Sequence, residues 1–225
     1  MTTKSNTLRM AALTATLAPL AIFIVFALST RGTGARQLGV ARSLDSKDGV
    51  TYFIAEGKAS SGYRLGDREL ALWAFQAWQR AAGKGLRFEP AAEMAALIRL
   101  AWAEPGGGEY GETQPQLVHG KRGAIVFIRP DVQALGPDIA RLAAADDLLR
   151  DSIVYLTCLH ELGHALGLEH TRDFRDIMFF FGYGGNVPEY FGRYRAQIHT
   201  RGDIAGVSGL SEADVARIRA LYASQ

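Results

Sequence analysis

The sequence is poor in cysteine, and its charges nearly cancel. Cys158 is the single cysteine among 225 residues, so no disulfide can form within the chain. Stability therefore has to come from packing, with a contribution from a bound metal ion if the fold holds one. The formal net charge is +2, and Lys and Arg are scattered without a run or a stripe. The electrostatic footprint of a nucleic-acid-binding protein is missing, so nucleic acid is not an expected partner.

Internal repeats and long low-complexity tracts are also missing from the sequence. Hydrophobic residues make up 48% of the chain and charged residues 21%, which is an ordinary globular composition. This apolar content is enough for one sizeable core, so a single domain is expected.

One long hydrophobic run stands near the amino terminus. Residues 10–28 (MAALTATLAPLAIFIVFAL) are uncharged and follow Lys4 and Arg9, a pattern typical of an export segment. Spanning a bilayer takes about 20 apolar residues, so the run is near the minimum for a membrane anchor and slightly long for a signal-peptide core. Small residues at its end suit a signal peptidase, whereas Pro19 and the nearby Arg31 favour an uncleaved anchor. Both outcomes predict an extracytoplasmic protein that is secreted, periplasmic or membrane-anchored.

The rest of the sequence divides at the first recognisable strand. Residues 31–48 are rich in Gly, Ser, Thr and Arg without apolar periodicity, as expected of a linker. We therefore expect residues 1–30 to be a signal peptide or N-terminal membrane anchor, residues 31–48 a linker and residues 49–225 the folded domain.

The periodicity of the domain predicts both strands and helices. A period-2 pattern at residues 50–54 indicates a strand, and a helical stripe that follows a possible cap at Asp67 ends at Gly83. Pro115 cannot donate to a ladder, which places a strand at 113–118 on a sheet edge. The further predicted elements are strands at 98–102 and 124–128, the second of them central, a helix from 146 to 168, and a last helix capped by Ser211 and Asp214. The expected fold class is α+β (mixed α/β), in the order strand, helix, strands, helix, helix.

The stretch HELGHALGLEH, which begins at His160, contains the residues that could bind a metal ion and take part in catalysis. Successive helix residues turn by about 100°, so His160 and His164 lie about 40° apart on one helix face. Two imidazoles in these positions can hold one ion, and Glu161 lies beside it without having to be a ligand. Gly167 can take the left-handed conformation that ends a helix, which lets His170 return as a third ligand.

Three neutral histidines with one open position describe a catalytic zinc site rather than a structural one. Zinc lowers the pKa of bound water from about 15.7 towards 7, polarises a carbonyl group and stabilises the oxyanion. Glu161 is placed to act as general base and then as proton donor to a leaving amine. The sequence thus predicts Zn²⁺ at His160, His164 and His170, with Glu161 as the catalytic residue.

Two other interpretations of the motif stay open at the level of sequence. Glu189 could replace His170 as the final ligand, although no helix behind it is apparent. The histidines could also be satisfied groups on a core helix, but three histidines with a glycine at a turning point have no packing rationale.

The stretch from His160 to His170 resembles the zinc-binding consensus of the metzincin endopeptidases, which requires a glycine and a third histidine at these positions. Met178, in the sequence DIM, is similar to the methionine of the tight turn beneath the metal in metzincins, although it could also be an ordinary core residue. The matrixins are the most similar branch, because HTRD followed by IM, and LSEAD near the end, resemble their corresponding segments. The resemblance implies a zincin-like catalytic domain, in which a twisted mixed sheet accompanies an active-site helix and a C-terminal helix.

The sequence departs from these families at several positions. Thr171 stands where matrixins usually have serine, and Phe180 where astacins and serralysins usually have tyrosine. No cysteine precedes Cys158, so latency by a cysteine switch is not expected, and Cys158 itself is expected to be a buried small residue. His119 and His199 lack the spacing of a second, structural zinc site and are expected to be loop histidines. Calcium binding stays open, because no acidic loop of recognisable spacing occurs.

The main prediction is a zinc-dependent endopeptidase, a metalloendopeptidase acting on protein or peptide substrates. An extended substrate would pair backbone to backbone with the edge strand at 113–118. An aromatic run beside Met178 would form either pocket walls or core: Phe179, Phe180, Phe181 and Tyr183. The alternative is a non-catalytic zinc-binding module on the membrane or in the extracytoplasmic space, against which Glu161 and the vacant fourth position weigh.

Overall fold

The computed structural model describes residues 43–105 and 110–223. In this part the chain forms a five-stranded sheet and five α-helices. The strands are β1 (Val50–Ile54), β2 (Phe88–Pro90), β3 (Ile98–Trp102), β4 (Gly111–Val118) and β5 (Lys121–Ile128). The helices are α1 (Asp67–Ala82), α2 (Pro137–Ala145), α3 (Asp147–Leu166), α4 (Val187–Arg195) and α5 (Glu212–Tyr222).

The sheet is parallel except for one edge strand. In the order β2-β1-β3-β5-β4, β1 pairs in parallel with β2 and β3, and β3 pairs in parallel with β5. Strand β4 runs antiparallel to β5 and joins it through His119 and Gly120, whose φ values of 50° and 78° suit a tight hairpin. The outer edge of β4 has no strand partner among the residues described. The predicted edge strand is therefore confirmed, beginning at Gly111 rather than at Thr113.

Helix α3 is the longest of these five helices and packs against α1, β4 and β5. Nearly all of its residues are buried, because apolar side chains recur around most of its surface. Asp146 caps the first turn by accepting a hydrogen bond from the N–H of Leu149 at 3.1 Å. Trp78 of α1 donates its indole N–H to the carbonyl of Leu159 at 2.8 Å, which ties the two helices together.

Helix α5 begins with the capping box expected from the sequence. The Ser211 hydroxyl accepts from the N–H of Asp214 at 3.0 Å, and the Asp214 carboxylate accepts from the N–H of Ser211 at 2.9 Å. At the other end of the helix, the buried Tyr222 donates its hydroxyl to the carbonyl of Leu166 at 3.0 Å. The C-terminal helix is thus attached to the end of α3.

The predicted fold class, α+β (mixed α/β), is confirmed, but some details were wrong. Asp67 does not cap α1, because Gly66 is the N-cap and Asp67 is the first helical residue. Its carboxylate turns inward to Arg150, whose buried guanidinium needs a counter-charge. Strand β2 and helices α2 and α4 were not anticipated at all.

The export segment predicted at residues 10–28 lies outside the described residues, as does most of the predicted linker. Within 43–105 and 110–223, no helix is long and apolar enough to cross a membrane. The division of the chain at residues 30 and 48 stays a prediction. Leu44, however, is fully buried and donates its N–H to the Tyr222 hydroxyl at 3.1 Å, so packing starts ahead of residue 49.

Candidate metal centre

Three histidine side chains converge at the carboxyl end of α3. His160 and His164 lie one turn apart on the helix, and His170 reaches them from the following segment. One ring nitrogen from each lies within 4.8 Å of the others. The Nε2 atoms of His164 and His170 are 3.0 Å apart. Two nitrogens bound to one tetrahedral zinc ion lie roughly 3.4 Å apart, so the spacing suits an ion shared by both rings.

Gly167 builds the turn that brings the chain back. Its φ of 103° lies in the left-handed region, where glycine has no steric penalty. Its N–H donates to the His164 carbonyl at 3.0 Å, and the N–H of Leu168 donates to the Gly163 carbonyl at 2.9 Å, which together define a Schellman motif. The same turn places the Leu168 carbonyl 2.9 Å from Nδ1 of His164. One turn thus ends the helix and contacts an imidazole on it.

A tight turn at Ile177 and Met178 lies against the same helix. The Ile177 carbonyl is 2.6 Å from Nδ1 of His160. Met178 is fully buried, and its Sδ packs so closely on α3 that a Cβ at Gly163 would lie 2.3 Å from it. The N–H of Thr171 donates to the Met178 carbonyl at 2.8 Å. The turn is therefore fixed both to α3 and to the segment that follows His170.

The hydrogen bonds of two imidazoles define their tautomers. A carbonyl oxygen only accepts, so Nδ1 of His160 and of His164 each carry a proton and their Nε2 atoms carry lone pairs. Nε2 of His160 is buried and has no hydrogen-bond partner. A buried acceptor left without a donor is costly, and a metal ion bound at this nitrogen accounts for it. The residues present therefore fit a zinc ion.

The three histidines are held in the form that a metal requires. Burial lowers the pKa of His160. Burial and then the neighbouring His160 lower the pKa of His164 to about 4. The pKa of His170 falls to about 3, through burial and the two other imidazoles. All three are neutral at neutral pH, and neutral imidazole is the ligating form.

Glu161 lies beside this cluster with 3% of its surface exposed. Burial raises the pKa of its carboxyl group, while His164 and the hydrogen bond from Thr113 act in the opposite direction. Oε2 accepts from the Thr113 hydroxyl at 2.8 Å, and Oε1 receives no hydrogen bond from the residues described. The sequence did not point to Thr113 as a partner, because the contact spans 48 residues.

The aromatic run beside Met178 divides between core and site. Phe179 is buried in the core, whereas the Phe180 ring stacks on His170 with centroids 4.7 Å apart and an interplanar angle of 22°. Tyr183 is half exposed and contacts the edge of Phe180 at 5.2 Å. Phe180 therefore packs against the third histidine, a contact that the aromatic run in the sequence did not specify.

The remaining residues singled out from the sequence lie away from the three imidazoles. His119 occupies the exposed hairpin turn and His199 an exposed loop. Cys158 is fully buried, and burial raises the pKa of its thiol. Glu189 lies exposed in the first turn of α4 and is not part of the ligand group found in the described residues.

A mixed sheet with one antiparallel edge strand, together with a helix that carries two of three clustered histidines, defines a metzincin-like catalytic domain. The family model for matrixin peptidases matches residues 44–189. The chain belongs to the matrixin family, and this membership makes it a protease. No match was found among the curated proteins. One solved structure, described as "Structure of Myroilysin", shares 17% identity over 79% of this chain and 80% of that chain, with a TM-score of 0.38.

Proposed function

We propose that this matrixin is a zinc-dependent endopeptidase, with zinc at His160, His164 and His170 and with Glu161 as general base. The observation that carries the proposal is the convergence of three neutral imidazoles beside a buried carboxylate. A purely structural zinc site is normally closed by four protein ligands. In the described part of the chain no fourth residue joins the ligand group.

Zinc, when bound, makes water acidic, with a pKa of about 7, and polarises a carbonyl group. Glu161 transfers the proton. Its Oε1 takes the proton of the attacking water, and the resulting carboxyl group delivers that proton to the leaving amine. Burial raises the proton affinity of this carboxylate, which suits a group that must both accept and release a proton. The carbonyls of Leu168 and Ile177 keep the imidazoles of His164 and His160 oriented.

We infer further that the substrate is an extended protein or peptide segment paired with the outer edge of β4. This edge has no strand partner within the described residues, so its main-chain groups are available for pairing. Gly111 and Thr113 of the same strand contact Glu161, so a peptide on this edge passes the carboxylate. Pro115 has no N–H, which limits the length over which main-chain pairing continues.

The proposal is tested with purified protein, metal analysis and a quenched-peptide library. We expect one zinc per chain and cleavage that stops with a chelator and returns when zinc is added. Glu161→Gln should keep its zinc and lose about 100-fold to 10,000-fold in kcat, because the general base is removed. Glu169→Gln, at an exposed position beside His170, is the control and should stay active. Full zinc occupancy with no cleavage of any peptide would instead support the non-catalytic zinc-binding module.

We also propose that the enzyme works outside the cytoplasm, on the basis of the uncharged apolar run at residues 10–28. Fractionation of expressing cells combined with intact mass separates the possibilities. A soluble exported product lacking about 30 residues means a cleaved signal peptide, and a full-length membrane product means an anchor. Full-length protein in the cytoplasm would contradict the proposed location.

A further inference from the structure

Strand β4 contacts the carboxyl group of Glu161 through two of its residues. The Thr113 hydroxyl lies 2.8 Å from Oε2 of Glu161. The same hydroxyl lies 2.9 Å from the main-chain carbonyl of Glu161. A threonine hydroxyl has a single proton to donate, and both acceptors belong to one residue of α3. The hydrogen-bonding capacity of Thr113 is thus directed at Glu161.

Gly111 provides the space in which this carboxyl group sits. A Cβ at Gly111 would lie 2.6 Å from Oε1 and 2.7 Å from Cγ of Glu161, closer than Cβ atoms approach other groups in proteins. Gly111 is not among the glycines with positive φ. Glycine is therefore needed here for the close approach of Glu161, and backbone conformation does not require it.

The antiparallel ladder fixes where both residues stand. Gly111 pairs with Ile128 and Thr113 pairs with Val126, and both partners on β5 are fully buried. A slip of one residue would turn Thr113 to the opposite face of the sheet. The register of β4, rather than a loop, therefore sets the contact with Glu161.

We infer that Thr113 is a positioning residue for the general base and that Gly111, which has no side chain, leaves room for the Glu161 carboxyl group. The inference rests on the proposed function, in which Glu161 transfers the proton. The Thr113 hydroxyl holds Oε2, so Oε1 is the oxygen left for proton transfer. The strand that pairs with the substrate thus also orients the base, and a shift of the strand changes both at once.

The inference is tested by kinetics on three variants of the zinc-loaded enzyme. Thr113→Val keeps the β-branched shape and removes the hydroxyl. We expect its kcat to fall about 10-fold to 100-fold, with KM within about twofold of wild type and zinc content unchanged. Thr113→Ser restores the hydroxyl and should recover kcat to within about threefold. Gly111→Ala should lower kcat like Thr113→Val, because its Cβ displaces the carboxyl group.

A threonine on another strand provides the matched control. The Thr51 hydroxyl in β1 donates to the Ala95 carbonyl at 3.0 Å, so Thr51→Val also removes a hydroxyl bond from the sheet. It should lower the melting temperature without changing kcat. In metal-free protein, the effects of Thr113→Val and Glu161→Ala on the melting temperature should be non-additive in the double variant, because each change removes the same hydrogen bond between the hydroxyl and the carboxylate.

The outcomes separate this inference from the proposed function. Wild-type enzyme that cleaves peptides, with an unchanged kcat in Thr113→Val, would overturn the positioning role and leave the proposed function standing. A low kcat that serine at position 113 does not rescue would also overturn it, as would additive melting temperatures. Wild-type protein that binds zinc and cleaves no peptide would overturn both.

Discussion

The imidazoles of His160 and His164 are oriented by main-chain carbonyl groups. Ile177 supplies one carbonyl and Leu168 the other. The position of the Leu168 carbonyl depends on the left-handed turn at Gly167, because the bonds of the Schellman motif fix both residues. A side chain at this glycine would therefore disturb the His164 imidazole through the backbone of the turn.

Replacing Gly167 by alanine should weaken zinc binding as well as the fold. The φ of 103° is unfavourable for alanine, so we expect the free energy of unfolding to fall by about 1 kcal/mol or more. Relaxation of the turn would move the Leu168 carbonyl away from His164 and lower the zinc affinity. Urea unfolding and competition with a chelating dye measure the two effects.

Gly83→Ala is the matched control for this change. Gly83 ends α1 with a φ of 65°, and no atom lies within 4 Å of the Cβ position. We expect a loss of stability with normal zinc affinity. Equal loss of zinc affinity in both variants would contradict the role assigned to the Gly167 turn.

Single residues of the site differ in how readily the sequence points to them. His160, Glu161 and His164 are recognisable because helix geometry relates residues one turn apart. Thr113 and Ile177 are not, because their contacts span 48 and 17 residues and depend on the packing of separate elements. Sequence patterns identify groups that act from one helix, whereas the groups that orient them come from elsewhere in the fold.

At the level of elements, α5 is connected to the turn beneath the histidines. The fully buried carboxylate of Asp214 accepts from the N–H of Ile177 at 2.8 Å, in addition to capping its own helix. Tyr190 of α4 donates its hydroxyl to the carbonyls of Asp176 and Ile177 at 3.0 and 3.2 Å. The peptide group between Asp176 and Ile177 is therefore held at its N–H by α5 and at its carbonyl by α4.

Asp214→Ala should destabilise the protein and weaken zinc binding at the proposed site. The buried N–H of Ile177 would lose its acceptor, at a cost of about 1–3 kcal/mol, and the partly buried N–H of Ser211 would lose its acceptor as well. Without the bond from the Ile177 N–H to Asp214, the backbone at Ile177 would be held less firmly. Its carbonyl would then orient His160 less well. Thermal unfolding and zinc competition on the same samples measure both effects.

The control is Asp203→Ala, which removes a second capping box. Asp203 accepts from the N–H groups of Thr200 and His199, both at 2.8 Å, in a segment without contact to the three imidazoles. This variant should lose stability and retain its zinc affinity. Normal zinc affinity in Asp214→Ala as well would show that α5 does not support the site.

The contact between α3 and α4 predicts a dependence of stability on pH. Arg195 donates from Nε to the Asp146 carboxylate at 2.7 Å. Burial raises the pKa of Asp146, but the bonds from Arg195 and from the Leu149 N–H outweigh it and hold the pKa below 3.8. A depressed folded-state pKa means that the ionised carboxylate stabilises the protein above about 3.8, and that this contribution is lost as pH falls through the folded value.

Asp146→Asn separates the charge from the cap. Asparagine still accepts from Leu149 but does not pair electrostatically with Arg195. In metal-free protein we expect a small loss of stability at pH 7, because the pair is partly exposed, and a difference from wild type that shrinks as the pH falls below about 3.8. Urea midpoints at several pH values provide the measurement, and a difference that grows towards acid pH would contradict the expectation.

The elements that the sequence missed are short or have mixed patterns. Strand β2 has three residues and ends in a proline, so no alternation could develop. The sequence of α4 contains Gly192 and combines aromatic with basic residues, which obscures its periodicity, although Asn186 and the proline that follows it are recognisable helix-start signals. The long, strongly periodic α3 was predicted closely, since its apolar pattern extends over several turns.

Across the whole molecule, one buried ion pair links the beginning of α1 to α3. Arg150 donates to both carboxylate oxygens of Asp67, with Nη2 2.8 Å from Oδ2, and also to the carbonyl of Gly62 at 3.0 Å. Both charged side chains are almost completely buried. The sequence suggested a helix cap at Asp67, because a partner 83 residues away is invisible to a local pattern.

Arg150→Met should therefore be among the most destabilising single changes. It leaves the Asp67 carboxylate buried without its counter-charge, which costs about 3–5 kcal/mol. Arg64→Met is the control, because Arg64 pairs with Asp147 at the surface and should contribute at most about 1 kcal/mol. Urea unfolding gives both values. Similar losses in the two variants would mean that burial adds nothing to this pair.

The carbonyl groups of Ile177 and Leu168 belong to the polypeptide backbone, so they survive any substitution of the side chains at those positions. Packing alone restricts which apolar side chain stands there. Apolar substitutions at these positions that keep the packing should therefore leave the imidazoles in their orientation. What a substitution must preserve at these two positions is the path of the main chain, whereas at the histidines it is the side chain itself.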